Sequence, residues 1–115
     1  MSLDVTLYMN LDVGTNEIYK VELFEANITH NLNRMAKEAR IYKYLWRPEE
    51  VNCKYAGDLV TKLEESLVKL RNYPLESKLY DSPNGWGTYE NFVNFVEKYL
   101  EACKQFPKAL IEVSR

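Results

Sequence analysis

Between Leu3 and Leu11 every second residue is apolar: Leu3, Val5, Leu7, Met9 and Leu11 alternate with Asp4, Thr6, Tyr8 and Asn10. Successive side chains of a strand point to opposite faces, so a period of two predicts a strand with one buried face. Asp12-Val13-Gly14-Thr15-Asn16 follows with turn chemistry, Gly14 being free to take a positive φ. From Glu17 to Glu25 the alternation resumes, with Tyr19, Val21 and Leu23 on one side. The two runs predict a β-hairpin closed by a loop of about five residues. An apolar hairpin face needs cover, and the rest of the chain supplies it as helices.

Asn27-Ile28-Thr29-His30-Asn31 reads as the opening of the first helix, capped by Asn27 or Thr29. Leu32, Met35, Ala36 and Ala39 form its apolar stripe, and it should stop near Arg40. The aromatic stretch 41–46 reads as a packed connection. Residues 47–51 read as a helical turn, with Pro48 at its first position and Glu49 and Glu50 at the positive end of the dipole. The second helix spans 56–73, its stripe made by Ala56, Leu59, Val60, Leu63, Leu67 and Leu70. Asp58 with Lys62, and Glu65 with Lys69, are acid-before-base pairs on its solvated face. Pro74 ends it, and 75–81 reads as a short helical turn leading to the Pro83 loop. The third helix spans 88–106, with Thr88 as N-cap and Tyr89, Phe92, Val93, Val96, Tyr99, Leu100 and Cys103 on one side. A last strand at 109–114 returns to the hairpin. The expected fold is α+β, in the order ββαααβ. A small antiparallel or mixed three-stranded sheet, hairpin plus C-terminal strand, is covered on one face by three helices. A chain of 115 residues makes this a single domain.

Fifteen basic residues against seventeen acidic ones give a net charge of −2, without a run of Lys or Arg. Extended nucleic-acid binding, which needs clustered positive charge, is thereby disfavoured. The apolar runs are shorter than the roughly 18–20 residues of a membrane span. The first residues show neither a basic nor an apolar leader region, and the expected location is the cytoplasm. Cys53 and Cys103 lie in different elements and are expected to be free thiols. With the single histidine they fall short of the four ligands of a structural zinc site, so neither metal nor cofactor is expected.

Candidate binding chemistry gathers at Asn84-Gly85-Trp86-Gly87-Thr88-Tyr89. Backbone N–H groups at a glycine-flanked helix start can hold an anion, and Trp86 offers a stacking face to a ring. The alternative is a tight turn with Trp86 in the core; a lone Gly-x-Gly lacks the dinucleotide fingerprint. Thr29, His30 and Asn31 can line the same hollow with polar groups, while Trp46, Arg47 and Trp86 wall it. His30 is the natural proton carrier near neutral pH, but it comes without a recognisable catalytic arrangement. Trp46 and Arg47 can form a cation–π pair or clamp a phosphate or carboxylate. Cys53 beside Lys54 reads as an inert thiol.

The segments 27–31, 84–89, Leu45-Trp46-Arg47-Pro48-Glu49 and the ending Glu112-Val113-Ser114-Arg115 resemble a family of small proteins of bacteriophages, prophages and bacteria. The resemblance covers nearly the whole chain. In those relatives the first helix ends on glycine, where this chain has Arg40; the difference concerns a helix terminus and touches no site. The family has no established activity, so the resemblance implies a phage-like or bacterial cytoplasmic origin and no catalytic role.

The leading expectation is a non-enzymatic binding protein that captures a nucleotide-like ligand or a host protein to counter host defence. A small hydrolase using His30 with a carboxylate such as Glu90 is one alternative. An oligomeric structural or assembly protein is another, since a short sheet has edges that need protection.

Overall fold

The computed structural model describes residues 2–72 and 88–115. The expected turn at 75–81 and the loop through Gly87 lie outside the described residues. β1 (Ser2–Asp12) and β2 (Ile18–Thr29) form the hairpin. Asp12 Oδ1 accepts from the Gly14 N–H at 2.9 Å, and Gly14 takes φ of +85°. β3 (Leu110–Ser114) returns to pair with the other side of β1, giving the order β2-β1-β3. Both pairings are antiparallel. Leu7 faces Phe24 and Tyr8 faces Glu22, so Leu23 is the extra residue of a bulge in β2.

β2 runs on through Asn27-Ile28-Thr29, a stretch the sequence assigned to the first helix. Asn27 pairs with Asp4 and Ile28 with Leu3, and this ladder overrides the capping preference of Asn27. Thr29 keeps its cap role: its Oγ1 accepts from the Asn31 N–H at 3.4 Å, opening a 3₁₀ turn, His30–Leu32, that leads into α1 (Asn33–Glu38). α1 stops at Arg40, which takes φ of +62°. The Arg40 N–H donates to the Lys37 carbonyl at 3.0 Å and the Ile41 N–H to the Ala36 carbonyl at 2.9 Å. This is a Schellman closure with arginine in the seat that glycine usually takes.

The aromatic connection is itself one helical turn, α2 (Tyr42–Trp46), followed by a 3₁₀ turn at Pro48–Val51. Asn52 leaves that turn at φ +58°, a conformation asparagine tolerates. A 3₁₀ entry, Ala56–Leu59, runs into α3 (Val60–Asn72). The Asp58 carboxylate accepts from the Lys54 and Tyr55 N–H groups at 3.1 and 3.0 Å. It caps the entry in place of the expected pairing with Lys62, which meets Glu65 at 3.5 Å. Lys69 likewise leaves the expected pair and donates to the Glu38 carbonyl at 2.7 Å. α4 (Tyr89–Gln105) starts on Thr88, whose Oγ1 accepts from the Asn91 N–H at 3.2 Å.

α3 and α4 pack together, and Arg71 pairs with Glu97 between them. The Gly57 N–H donates to the Pro107 carbonyl at 2.8 Å, and a Cβ at Gly57 would stand 3.0 Å from that oxygen. A side chain here would push the entry of α3 and the exit of α4 apart by a few tenths of an ångström, so glycine suits this close approach. Leu3, Val5 and Leu7 of β1 are fully buried, in one cluster with Met35, Leu45, Leu63, Phe92 and Tyr99.

That burial ends where the cover ends. Met9 and Leu11 continue the face of Leu3, Val5 and Leu7, yet they are 47% and 51% exposed. β3 pairs with β1 only from Asp4 to Tyr8. Beyond Tyr8 and Glu22 the hairpin is a two-stranded arm, and the expectation of one buried face along all of β1 holds for its first half alone.

Candidate functional site

The sequence-predicted site residues fall into separate neighbourhoods. His30 and Trp46 do meet, with ring centroids 6.1 Å apart at 59°. Trp46 also stacks on Tyr42 at 5.3 Å and 21°. With aromatic neighbours at both contacts and only 3% exposure, Trp46 presents no free face for a ligand ring. The His30 Nε2 is buried without a hydrogen-bond partner, and Asn31 lies exposed beside it. The Arg47 guanidinium reaches Glu50 at 3.4 Å, and its bond to the Tyr42 hydroxyl raises its pKa further. It is thus part of the protein's own ion-pair system. Tyr89 donates its hydroxyl to the Leu70 carbonyl at 3.0 Å, tying the start of α4 to the end of α3. Asn84, Gly85, Trp86 and Gly87 lie outside the described residues.

Among the predicted residues Thr29 lines a hollow of about 500 Å³ between β2 and α4. Its far wall carries Asn91, Asn94 and Lys98, which share a stripe of α4. The opening of the first helical segment and the opening of α4 do therefore approach each other, but His30, Trp46 and Tyr89 stand outside that hollow. A second hollow of about 550 Å³ continues along β2 and α4, walled by Leu23, Phe24, Ala102 and Phe106.

A larger cavity of about 710 Å³ lies on the other edge of the sheet, between β3 and the Pro48–Val51 turn. Arg115 closes one end of it, donating to the Trp46 carbonyl and to Glu49 Oε1, each at 2.8 Å. Local backbone hydrogen bonding and Arg115 hold the Glu49 carboxyl below the usual carboxylate range. Cys53 lines this cavity, and burial, with Asp58 adding to it, pushes its thiol up. A thiol held in its neutral form is a poor nucleophile, in line with the inert role expected for it. Among the described residues there is no cluster of three His, Cys, Asp or Glu side chains able to hold a metal ion. No described helix is long and apolar enough to cross a membrane.

The feature that the sequence reading missed is the arm. Met9 faces Val21 and Leu11 faces Tyr19 across the ladder, so the four side chains form one apolar face. They are 40–51% exposed, and Val13 and Ile18 extend the exposed surface to the tip. The reverse face is polar: Lys20 pairs with Glu112 at 2.8 Å and lies 4.8 Å over the Tyr8 ring. This tether keeps the arm in line with the body. A signal was available in the sequence, because the period-two pattern is longer than the helices can roof.

Compared with family models, curated proteins and solved structures, the chain matches none.

Proposed function

We infer that this chain is a non-enzymatic binding protein that works through its β-arm and takes a protein as its partner. The observation that supports this best is the uncovered face of Met9, Leu11, Tyr19 and Val21, backed by the charged Asp12, Lys20 and Glu22 on the reverse face. Contiguous exposed apolar surface is a mark of protein interaction sites. The arm also offers strand edges, the ready template for pairing with another chain. The phage and bacterial resemblance supports a host protein of the cytosol, acting in defence, as the partner class. Leu11→Lys with Tyr19→Lys should abolish capture of partner proteins from bacterial lysate, while Lys43→Glu, on the helical body, leaves it intact. An unchanged captured set with the arm variant would rule the arm out.

A second reading is favoured by the hollow beside Thr29. Asn91 and Asn94 carry carboxamides suited to the edge of a base, and Lys98 carries a cation suited to a phosphate. Titration calorimetry against a nucleotide panel, with Asn94→Ala and Lys98→Ala as controls, tests that capture; heat that survives both substitutions would exclude this hollow. The hydrolase alternative gains nothing from the packing, which sets His30 against Trp46.

A further inference from the structure

Among the described residues the outer edge of β2 has no strand paired to it, because the sheet order β2-β1-β3 leaves β2 at its border. From the arm to the bulge it reads Tyr19-Lys20-Val21-Glu22-Leu23. This pentapeptide is complementary to itself when two copies run antiparallel. Centred on Val21, Tyr19 stands opposite Leu23 of the second copy, Lys20 opposite Glu22, Val21 opposite Val21, and the two remaining pairs repeat the first two in reverse. The Lys20–Glu22 and Val21–Val21 pairs each join residues of one face, which antiparallel pairing requires, and the Tyr19–Leu23 pair falls at the bulge, where the regular ladder ends. Opposite charges meet on the polar face, where Lys20 also holds Glu112 of its own chain, and Val21 meets Val21 on the uncovered face.

Neighbouring registers lose this match. A two-fold centred on Lys20 sets two lysines against each other, and one centred on Glu22 sets two glutamates against each other. Like charges directly opposite are destabilising. The charge pattern therefore selects one register of the three.

We propose that the arm's first partner is a second copy of this chain, joined through Tyr19–Leu23 into a continuous six-stranded antiparallel sheet. This rests on the reading of the arm as the interaction surface. The contact is isologous, as a closed two-fold dimer demands. In this register the second copy's Tyr19 comes to Leu23, at the mouth of the hollow walled by Phe24, Ala102 and Phe106. The arm of each copy thereby meets the apolar groove of the other. A stable interface buries about 800 Å² per partner, more than a five-residue edge supplies by itself. The dimer is accordingly of the transient class, with a dissociation constant on the order of micromolar to tens of micromolar.

Sedimentation velocity on the full chain between about 1 and 500 µM tests this, since that range brackets such a constant. The wild-type chain should pass from monomer to dimer. Lys20→Glu alone and Glu22→Lys alone should each stay monomeric, because each sets like charges opposite one another in both strand pairs. Mixed at equal concentration, the two variants should form a heterodimer, because their charges are then complementary. Circular dichroism of each variant checks that the fold is retained. A wild-type chain that remains monomeric at the highest concentration overturns the proposal, and so do single variants that dimerise like wild type. If the wild type is monomeric while Leu11→Lys with Tyr19→Lys still abolishes capture of a host protein, self-association alone has failed and the arm reading stands.

Discussion

Arg40 sits in a left-handed conformation that costs a residue with a Cβ roughly 1–2 kcal/mol. Replacing it with glycine removes that strain while loosening the unfolded chain, so Arg40→Gly should stabilise the protein by about 1 kcal/mol. A rise of about 4 °C in the thermal midpoint is the expected readout, and a fall would show that the arginine side chain matters more than its backbone. Cys103 shows how burial links to pH. Loss of solvent pushes its thiol up to about 12 from an ordinary value of 9.0. Between those limits the unfolded chain has released the proton and the native chain still holds it. Stability from this group is therefore complete below about pH 9 and falls as pH rises, by about 1.4 kcal/mol per unit. Tyr99, buried beyond it with its hydroxyl enclosed, titrates in the same direction. Urea midpoints at pH 8, 9.5 and 10.5 should show a shallower alkaline loss for Cys103→Ala than for wild type. Equal slopes would place the thiol in contact with solvent. The stripes that put these two side chains inside were plain in the sequence; that the Tyr99 hydroxyl would be left without a partner was not, because partners come from other elements.

At the scale of elements, β1 carries one pattern and two fates. Leu7 and Leu11 share a face, but only Leu7 lies beneath the helices. Leu7→Ala should cost about 2–5 kcal/mol in the denaturant midpoint, the usual range for a packed leucine. Leu11→Ala should stay within about 0.5 kcal/mol of wild type, as surface changes do. Matching losses at both positions would mean that the arm is covered in solution. Asp58 gives a second element-scale case. Its carboxylate serves two backbone donors at the entry of α3, so Asp58→Ala should cost about 1–2 kcal/mol, near the upper end for a lost cap. The expected Asp58–Lys62 pair would have predicted a few tenths at most. The same competition explains Asn27, where a committed β ladder outweighed a side chain's preference for a helix start.

For the whole molecule, the radius of gyration is 15.0 Å and the extents are 53 × 27 × 22 Å. A compact chain of this length would have a radius near 13 Å. The difference lies in the direction an extended arm requires. A fluorescent probe of apolar surface should bind the native protein and lose most of that signal in Leu11→Asn with Tyr19→Thr. The thermal midpoint should move by only a few degrees, since neither side chain belongs to the core. Undiminished probe binding would move the exposed surface elsewhere on the body. The hollow foreseen between the first helical segment and the start of α4 has a counterpart beside Thr29. Of the walls assigned to it, Trp46 is packed against His30 and Tyr42 and Arg47 is paired with Glu50, while Trp86 lies outside the described residues.

Periodicity, caps and breakers are local, and they determined the hairpin, the two long helices and the returning strand, while the wide spacing of the two cysteines pointed to the free thiols. Where the helical roof stops, which carboxylate caps and which pairs, and which apolar residues stay in water were decided only when the elements met. A side chain's burial depends on what packs over it, and the order of residues along one strand carries no measure of how far another element will reach.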